Sequence, residues 1–265
     1  MSKRLTLCAD DFAQSRAISS AIMQLLASGR LSATSVMSQS PLWPELAPAL
    51  KALASQVDIG LHFNLSQPFD TSARPLQHWL LRSQLGLLSR ATLREQWLEQ
   101  IDRFTEQLGQ LPDFIDGHQH VHALPLVREA MFEAIALRWP GSAKPYLRAP
   151  DRLAHNGDSG FKAVLLKGLC RGFTAQAQVQ GYAVTPWFAG LYSLSPEADY
   201  ADLMHSWLAA CADGGLLMCH PGLPAADRDD PIAEARVAEY GYLASLQFAE
   251  DCLAAGIEIG RFQPS

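Results

Sequence analysis

Three of the chain's eight histidines fall within five residues, in Asp116-Gly117-His118-Gln119-His120-Val121-His122. Neutral imidazole is a common metal ligand and the usual acid or base near neutral pH. An extended backbone puts all three on one face, whereas a helical one pairs His118 with His122. Imidazoles so spaced suit Zn²⁺, and with a carboxylate added they suit harder divalent ions. One or two of the three fit better as groups that orient ligands or meet substrate. Asp10-Asp11 closes the apolar run Leu5 to Ala9. A chain turn there would send both carboxylates into one pocket, and the plainer alternative is a helix N-cap. His62 follows Asp58-Ile59-Gly60-Leu61, where Gly60 gives the backbone latitude. An ordinary half-buried histidine is the simpler reading of His62. In His220-Pro221-Gly222, a histidine stiffened by proline suits a general acid, or else only a turn. Arg148 is placed to grip a carboxylate with both nitrogens, or to make a surface salt bridge. His78, His155 and His205 stand in less regular surroundings.

Asp10-Asp11, His62, Asp116 to His118, Arg148 and His220 share a position: each lies at or just past the end of a short apolar run. Leu5 to Ala9, Ser32 to Ser38, Val57 to Leu61, Phe114-Ile115, Tyr146 to Ala149, Leu216 to Cys219 and Ile257 to Ile259 read as strands. Between them Ala17 to Leu26, Glu45 to Ala54, Leu93 to Leu108, Leu124 to Leu137, Leu203 to Ala212 and part of Ala233 to Ala254 read as helices. Gly29 is placed to stop the first. Such alternation predicts an α/β fold with a parallel sheet, closed into a distorted (β/α) barrel of seven or eight strands. An open doubly wound sheet is the alternative, but no glycine-rich or P-loop pattern follows the first strand. One domain over residues 1–265 is expected, with a loop-rich insertion at about 66–90. Residues 172–196 carry no charge and read as a strand with loops walling a ligand.

The chain has 21 Lys+Arg against 27 Asp+Glu and is 48% hydrophobic. That excludes a disordered chain and argues against a nucleic-acid partner. Five cysteines, with no C-x-x-C spacing, fit small buried residues in a reduced compartment. No signal-peptide core or transmembrane run is read, so a cytoplasmic location is expected. A homodimer is left open.

Taken together, Ala9-Asp10-Asp11-Phe12, Gly60-Leu61-His62-Phe63-Asn64-Leu65, the histidine run and His220-Pro221-Gly222 resemble the signatures of YdjC/ChbG-type carbohydrate deacetylases, including their hopanoid-associated branch. The resemblance runs from residue 3 to about residue 260. It implies a barrel related to NodB-type deacetylases and one divalent metal ion, Mg²⁺ or Zn²⁺. By it, Asp11, His62 and His118 are the metal ligands, Asp10 the base, His220 the acid, and Arg148 the residue that steadies the base. It also implies hydrolysis of an N-acetyl group on an acetylated amino sugar, of chito-oligosaccharide or glycolipid type. Phe63, Trp79, Trp187, Phe188 and Tyr192 are the aromatic candidates for meeting that sugar. Ala13 replaces the family's usual Gly and Gly117 its frequent Ser, changes placed to alter the turn and the substrate contacts. The alternative function is another metal-dependent amidohydrolase or phosphoesterase on a similar barrel, which a two-metal site would favour.

Overall fold

The computed structural model describes residues 2–69, 71–141, 143–154, 157–224 and 230–264. Its strands form one parallel sheet around β1 (Lys3–Phe12), which is buried from Leu5 onward. A strand covered on both faces reads as an unbroken apolar run, which is why Leu5 to Ala9 was visible. On one side follow β2 (Ala33–Val36), β3 (Asp58–Phe63), β4 (Phe114–Gly117) and β5 (Tyr146–Leu147). On the other lie β7 (Gly215–Cys219) and then β6 (Phe188–Ala189). β8 (Ile257–Ile259) pairs with Lys3 to Leu5, and β2 pairs with β1 from Cys8 on. Single bridges, Leu147 to Val184 and Leu153 to Phe188, span the edges β5 and β6. The result is the expected barrel, distorted and incompletely closed.

Most helices return the chain between strands. They are α1 (Arg16–Ala27), α2 (Trp43–Lys51), α4 (Arg90–Leu108), α5 (Val127–Arg138), α8 (Tyr200–Ala210), α9 (Ala233–Ala244) and α10 (Leu246–Ala254). In α1 the stripe Ile18, Ala21, Ile22 and Leu25 faces the core, and Gly29 leaves the helix with φ 68°. In α4 Trp97 lies flat on Phe63 of β3, ring centroids 3.5 Å apart. The run 233–254 is two helices, because Ser245 starts α10 by accepting from the Phe248 N–H. Behind the sheet, Arg261 and the Phe262 N–H bind Asp58 at 2.7 and 2.8 Å, tying the C-terminal segment to the start of β3. All five cysteines are buried and unpaired.

Three helices lie where no period was legible. α3 (Leu76–Gln84) falls inside the stretch expected to be loop-rich. α6 (Gly160–Leu169) and α7 (Phe173–Val179) both lie between β5 and β6. α6 is apolar all round yet buries only Ala163, so it presents no stripe. Within 172–196 the strand is only the two residues of β6.

Gly60 has a different reason from the expected one. It lies within regular β3, and a Cβ there would stand 2.4 Å from ring atoms of the fully buried Phe114. Its role is to admit that ring. Gly60→Ala is expected to destabilise the fold by about 1–3 kcal/mol through overpacking, read as a fall in the urea midpoint with unchanged slope.

Candidate active site

The strand ends deliver their polar residues to one cavity of about 390 Å³, bordered by Asp10, Asp11, His62, His118 and His220. Neighbouring side chains on a strand point to opposite faces. β1 escapes that rule because Asp11 takes φ 68° and its pairing with β2 shifts register between Ala9 and Phe12. Both carboxylates then reach the cavity. Asp tolerates the left-handed region better than most residues. Ala13, two residues on, also has a positive φ, 72°, the conformation for which Gly is suited. The turn holds because the Ala13 N–H donates to Ser19 Oγ and the Ser40 hydroxyl donates to the Ala13 carbonyl. Neither aspartate caps α1. Ser15 does, accepting from the Ile18 N–H.

Arg148, fully buried just past β5, grips Asp10 with both terminal nitrogens at 2.6 Å. Its Nη2 also stands 2.6 Å from Asp116 Oδ2 and 3.2 Å from Cys8 Sγ. Burial alone would raise the Asp10 pKa, but the guanidinium outweighs it and holds the carboxyl far below its usual range. Cys8, Asp10 and Asp116 form one of two convergent donor groups among the described residues, and the Arg148 guanidinium fills it.

The other group is Asp11, His62 and His118. Asp11 Oδ1 stands 3.4 Å from His62 Nε2 and 3.1 Å from His118 Nδ1. Ligands at about 2.1 Å from one ion are themselves about 3.0–3.4 Å apart, so this set fits a divalent cation. Two of the three, His62 and Asp11, are held from behind. Asp116 Oδ1 lies 2.7 Å from His62 Nδ1, with the Ser35 hydroxyl at 2.9 Å. That fixes Nδ1 as the protonated nitrogen and frees Nε2. Burial would lower the His62 pKa, but Asp116 and Asp10 push it up to about 10. Arg236 donates to Asp11 Oδ2 at 2.7 Å and to Asp230 at 2.6 Å. Against the opposing effect of burial, Arg236 and His118 hold the Asp11 carboxyl well below its ordinary pKa.

His220 Nε2 lies 3.9 Å from Asp10 Oδ2 across the cavity floor. Its backbone N–H donates to Glu239 Oε2 at 2.5 Å, and its Nδ1 is 3.8 Å from Glu239 Oε1. Glu239 is fully buried and also accepts from the Tyr192 hydroxyl at 2.7 Å. Burial opposes charge on His220, and Glu239 overcomes it, so the imidazole pKa is raised.

The histidine run is neither extended nor one helix. It forms a 3₁₀ turn, His118–Ala123, kinked where Gln119 and His120 take positive φ. The three rings therefore part. His118 faces Asp11. His120 borders the cavity against Phe188, ring centroids 5.5 Å apart, and burial with Arg148 depresses its pKa. His122 is fully buried, lowered to about 4 by burial, and its Nε2 stands 3.0 Å from the Arg148 carbonyl, which it supports. Gly117 does not border the cavity: a Cβ there would meet the Phe63 carbonyl and His122. His205 pairs with Asp251 at the surface, His78 stands against Trp79, and His155 lies outside the described residues.

Of the five aromatic candidates, only Tyr192 borders the cavity. Phe63, Trp79 and Phe188 are core, and Trp187 packs on Gly215. Three residues were not assigned from sequence: Asp116, Arg236 and Glu239. Asp116 stood in the quoted motif, but its role needs the β3–β4 register that sets it beside His62. Arg236 and Glu239 share a buried face of α9 with Tyr242 and Leu243. Charges on an apolar helical stripe were the legible signal. No described helix is long and apolar enough to cross a membrane.

A crystal structure of an Enterococcus faecalis V583 protein, described as a candidate cellobiose-phosphate cleavage protein, matches with a TM-score of 0.73. The match covers 98% of each chain at 19% identity, and at that identity it is a likeness of fold. A chitooligosaccharide deacetylase of Serratia marcescens is 32% identical over 136 residues, 48% of this chain and 53% of its own. A carbohydrate deacetylase of Danio rerio is 27% identical over 147 residues, 50% of this chain and 46% of its own. The chain thus spans about half the length of the curated relatives it matches. The model of the YdjC-like protein family matches residues 4–254, and the chain belongs to that family.

Proposed function

We propose that the protein is a metal-dependent hydrolase that removes the N-acetyl group from an acetylated amino sugar carried on a lipid. One observation carries this reading: Asp10, clamped by Arg148, and His220 stand 3.9 Å apart beside the convergent set Asp11, His62 and His118. The names of the curated relatives, carbohydrate and chitooligosaccharide deacetylase, support the reaction.

Asp11, His62 and His118 would hold one divalent ion, Zn²⁺ or Mg²⁺. Such an ion, when bound, supplies Lewis acidity toward a carbonyl oxygen and lowers the pKa of a neighbouring water. Asp10 is the base that takes a proton from the attacking water. Arg148 keeps it ionised and limits how firmly it holds that proton. His220 is the acid, protonating the amine as the C–N bond breaks, since an unprotonated amine leaves very poorly. Glu239 keeps His220 charged for that step, and Arg236 turns one oxygen of Asp11 toward the imidazoles. The second donor group is occupied by a guanidinium, which disfavours the two-metal amidohydrolase or phosphoesterase alternative.

Gln14, Gln67 and Gln119 offer the cavity polar contacts for a sugar, and its aliphatic walls support the glycolipid type of substrate. Leu76, Leu80, Leu165, Leu166 and Leu169 border the cavity, with Tyr192 the single aromatic ring apart from the imidazoles among the described residues. Sugar chains are usually met by aromatic faces and polar groups, while aliphatic walls suit an apolar aglycone.

Three measurements test the reading. Asp10→Asn is expected to lower kcat for acetate release by about 10²- to 10⁴-fold, and a wild-type value would remove Asp10 as the base. Metal analysis of the purified chain should return one divalent ion, lost in His62→Ala; failure of both the chain and its metal-loaded form to release acetate from any acetylated amino sugar would sink the reaction. The third is a pH profile. The raised His220 is competent below its pKa, and activity falls as pH rises through it. Glu239→Gln removes the raising charge, so the basic limb should move to lower pH.

A further inference from the structure

The helices α3 and α6 border the cavity, and both continue apolar on the outside. On α3 Leu81 is 63% exposed, and Leu85 at its C-cap 60%; on α6 Phe161 is 82% and Val164 63% exposed. Of the ten large apolar side chains exposed among the described residues, six belong to α3, the loop after it and α6. Single exposed apolar residues are ordinary, but a group of them on two helices that border one cavity marks a binding surface.

The charges on the same segments are one-sided. Residues 71–94 and 159–196 hold seven Lys or Arg and no Asp or Glu, leaving 14 basic against 27 acidic residues in the rest of the chain. Arg90 and Arg94 turn toward Glu129 and Glu133. Arg74, Arg82 and Lys162 bond to backbone carbonyls. Exposed aliphatic groups interleaved with cations fit the boundary of an anionic bilayer, where the apolar groups enter the acyl edge and the cations meet the headgroups. A second copy fits less well, because a two-fold interface would set these cations against their own kind.

We propose that the rim formed by α3 and α6 docks on an anionic lipid surface, so that the substrate's apolar part slides from bilayer to aliphatic wall while its sugar reaches Asp10. This rests on the glycolipid reading above, and its test is separable from the test of that reading.

Flotation of the full chain with vesicles of phosphatidylcholine and phosphatidylglycerol reads the docking directly. The chain should float with these vesicles, less with phosphatidylcholine alone, and less in high salt. The combined variant Leu81→Ser, Leu85→Ser, Phe161→Ser and Val164→Ser should lower partitioning about tenfold or more. Arg82→Glu, which leaves every apolar contact in place, should weaken binding to the anionic vesicles selectively. None of these residues borders the cavity, so turnover of a short-chain alkyl N-acetylglucosaminide below its micelle concentration should stay at the wild-type value. A wild-type chain that remains unbound, or a combined variant that floats equally well, overturns the docking surface. So does a dimer in solution that the same substitutions dissolve, since the patch then belongs to a second copy. Acetate from the soluble substrate reports on the reaction alone: a chain that releases it without floating keeps the reaction and loses the docking, and one that floats without releasing it does the reverse.

Discussion

The buried guanidinium of Arg148 is the interaction on which the site depends. Without it, Asp10 and Asp116 would be two carboxylates in a dry interior, a situation that neutralises one of them or opens the fold. With it, Asp10 stays ionised and Asp116 is free to orient His62. Arg236 serves Asp11 in the same way from the opposite side. Four buried carboxylates, Asp10, Asp11, Asp116 and Glu239, thus face two buried guanidiniums. The excess of negative charge pushes up the two neighbouring imidazoles, His62 and His220. That same excess is the property that attracts and balances a divalent cation.

A regular sheet could not build this arrangement by itself. Parallel strands bring residues from distant parts of the chain to one rim, but each strand end presents one side chain to that rim. Asp10 and Asp11, although neighbours, both reach the cavity because the backbone breaks at Asp11. The left-handed residue costs about 1–2 kcal/mol, and the hydrogen bonds of Ser19 and Ser40 around Ala13 help offset it. Strain stored beside reacting groups, and supported by the surrounding fold, is a usual place to find it.

What the sequence revealed follows from the same physics. β1, β3 and β7 were legible because both faces are covered, which makes them apolar runs ending in Asp10, His62 and His220. α1 and α4 were legible because one stripe meets the sheet. α6 was not, since its apolar residues surround the helix and no stripe marks it. β5 was legible within Tyr146 to Ala149, whereas β6, at two residues, is too short to carry a period and was seen only as part of a longer uncharged stretch. The carboxylates and imidazoles were legible as types at strand ends, but their partners were not. Asp116 acts through register, and Arg236 and Glu239 act from a helix whose charges look ordinary until its buried face is known. Gly60 was visible as a glycine, yet its reason, the Phe114 ring, belongs to tertiary packing alone.

Floor and walls of the cavity come from different parts of the chain. The floor is built by strand ends, and every group in it is fixed by another buried group. The leucine-bearing walls come largely from α3, between β3 and β4, and α6, between β5 and β6. A change at Leu76, Leu80, Leu165, Leu166 or Leu169 therefore alters the cavity walls while leaving the Arg148 clamp and the Asp11 turn untouched. Changes on the floor have no such freedom, since removing one charge leaves its partner buried and unpaired. Floor and walls are thus free to change independently in this chain.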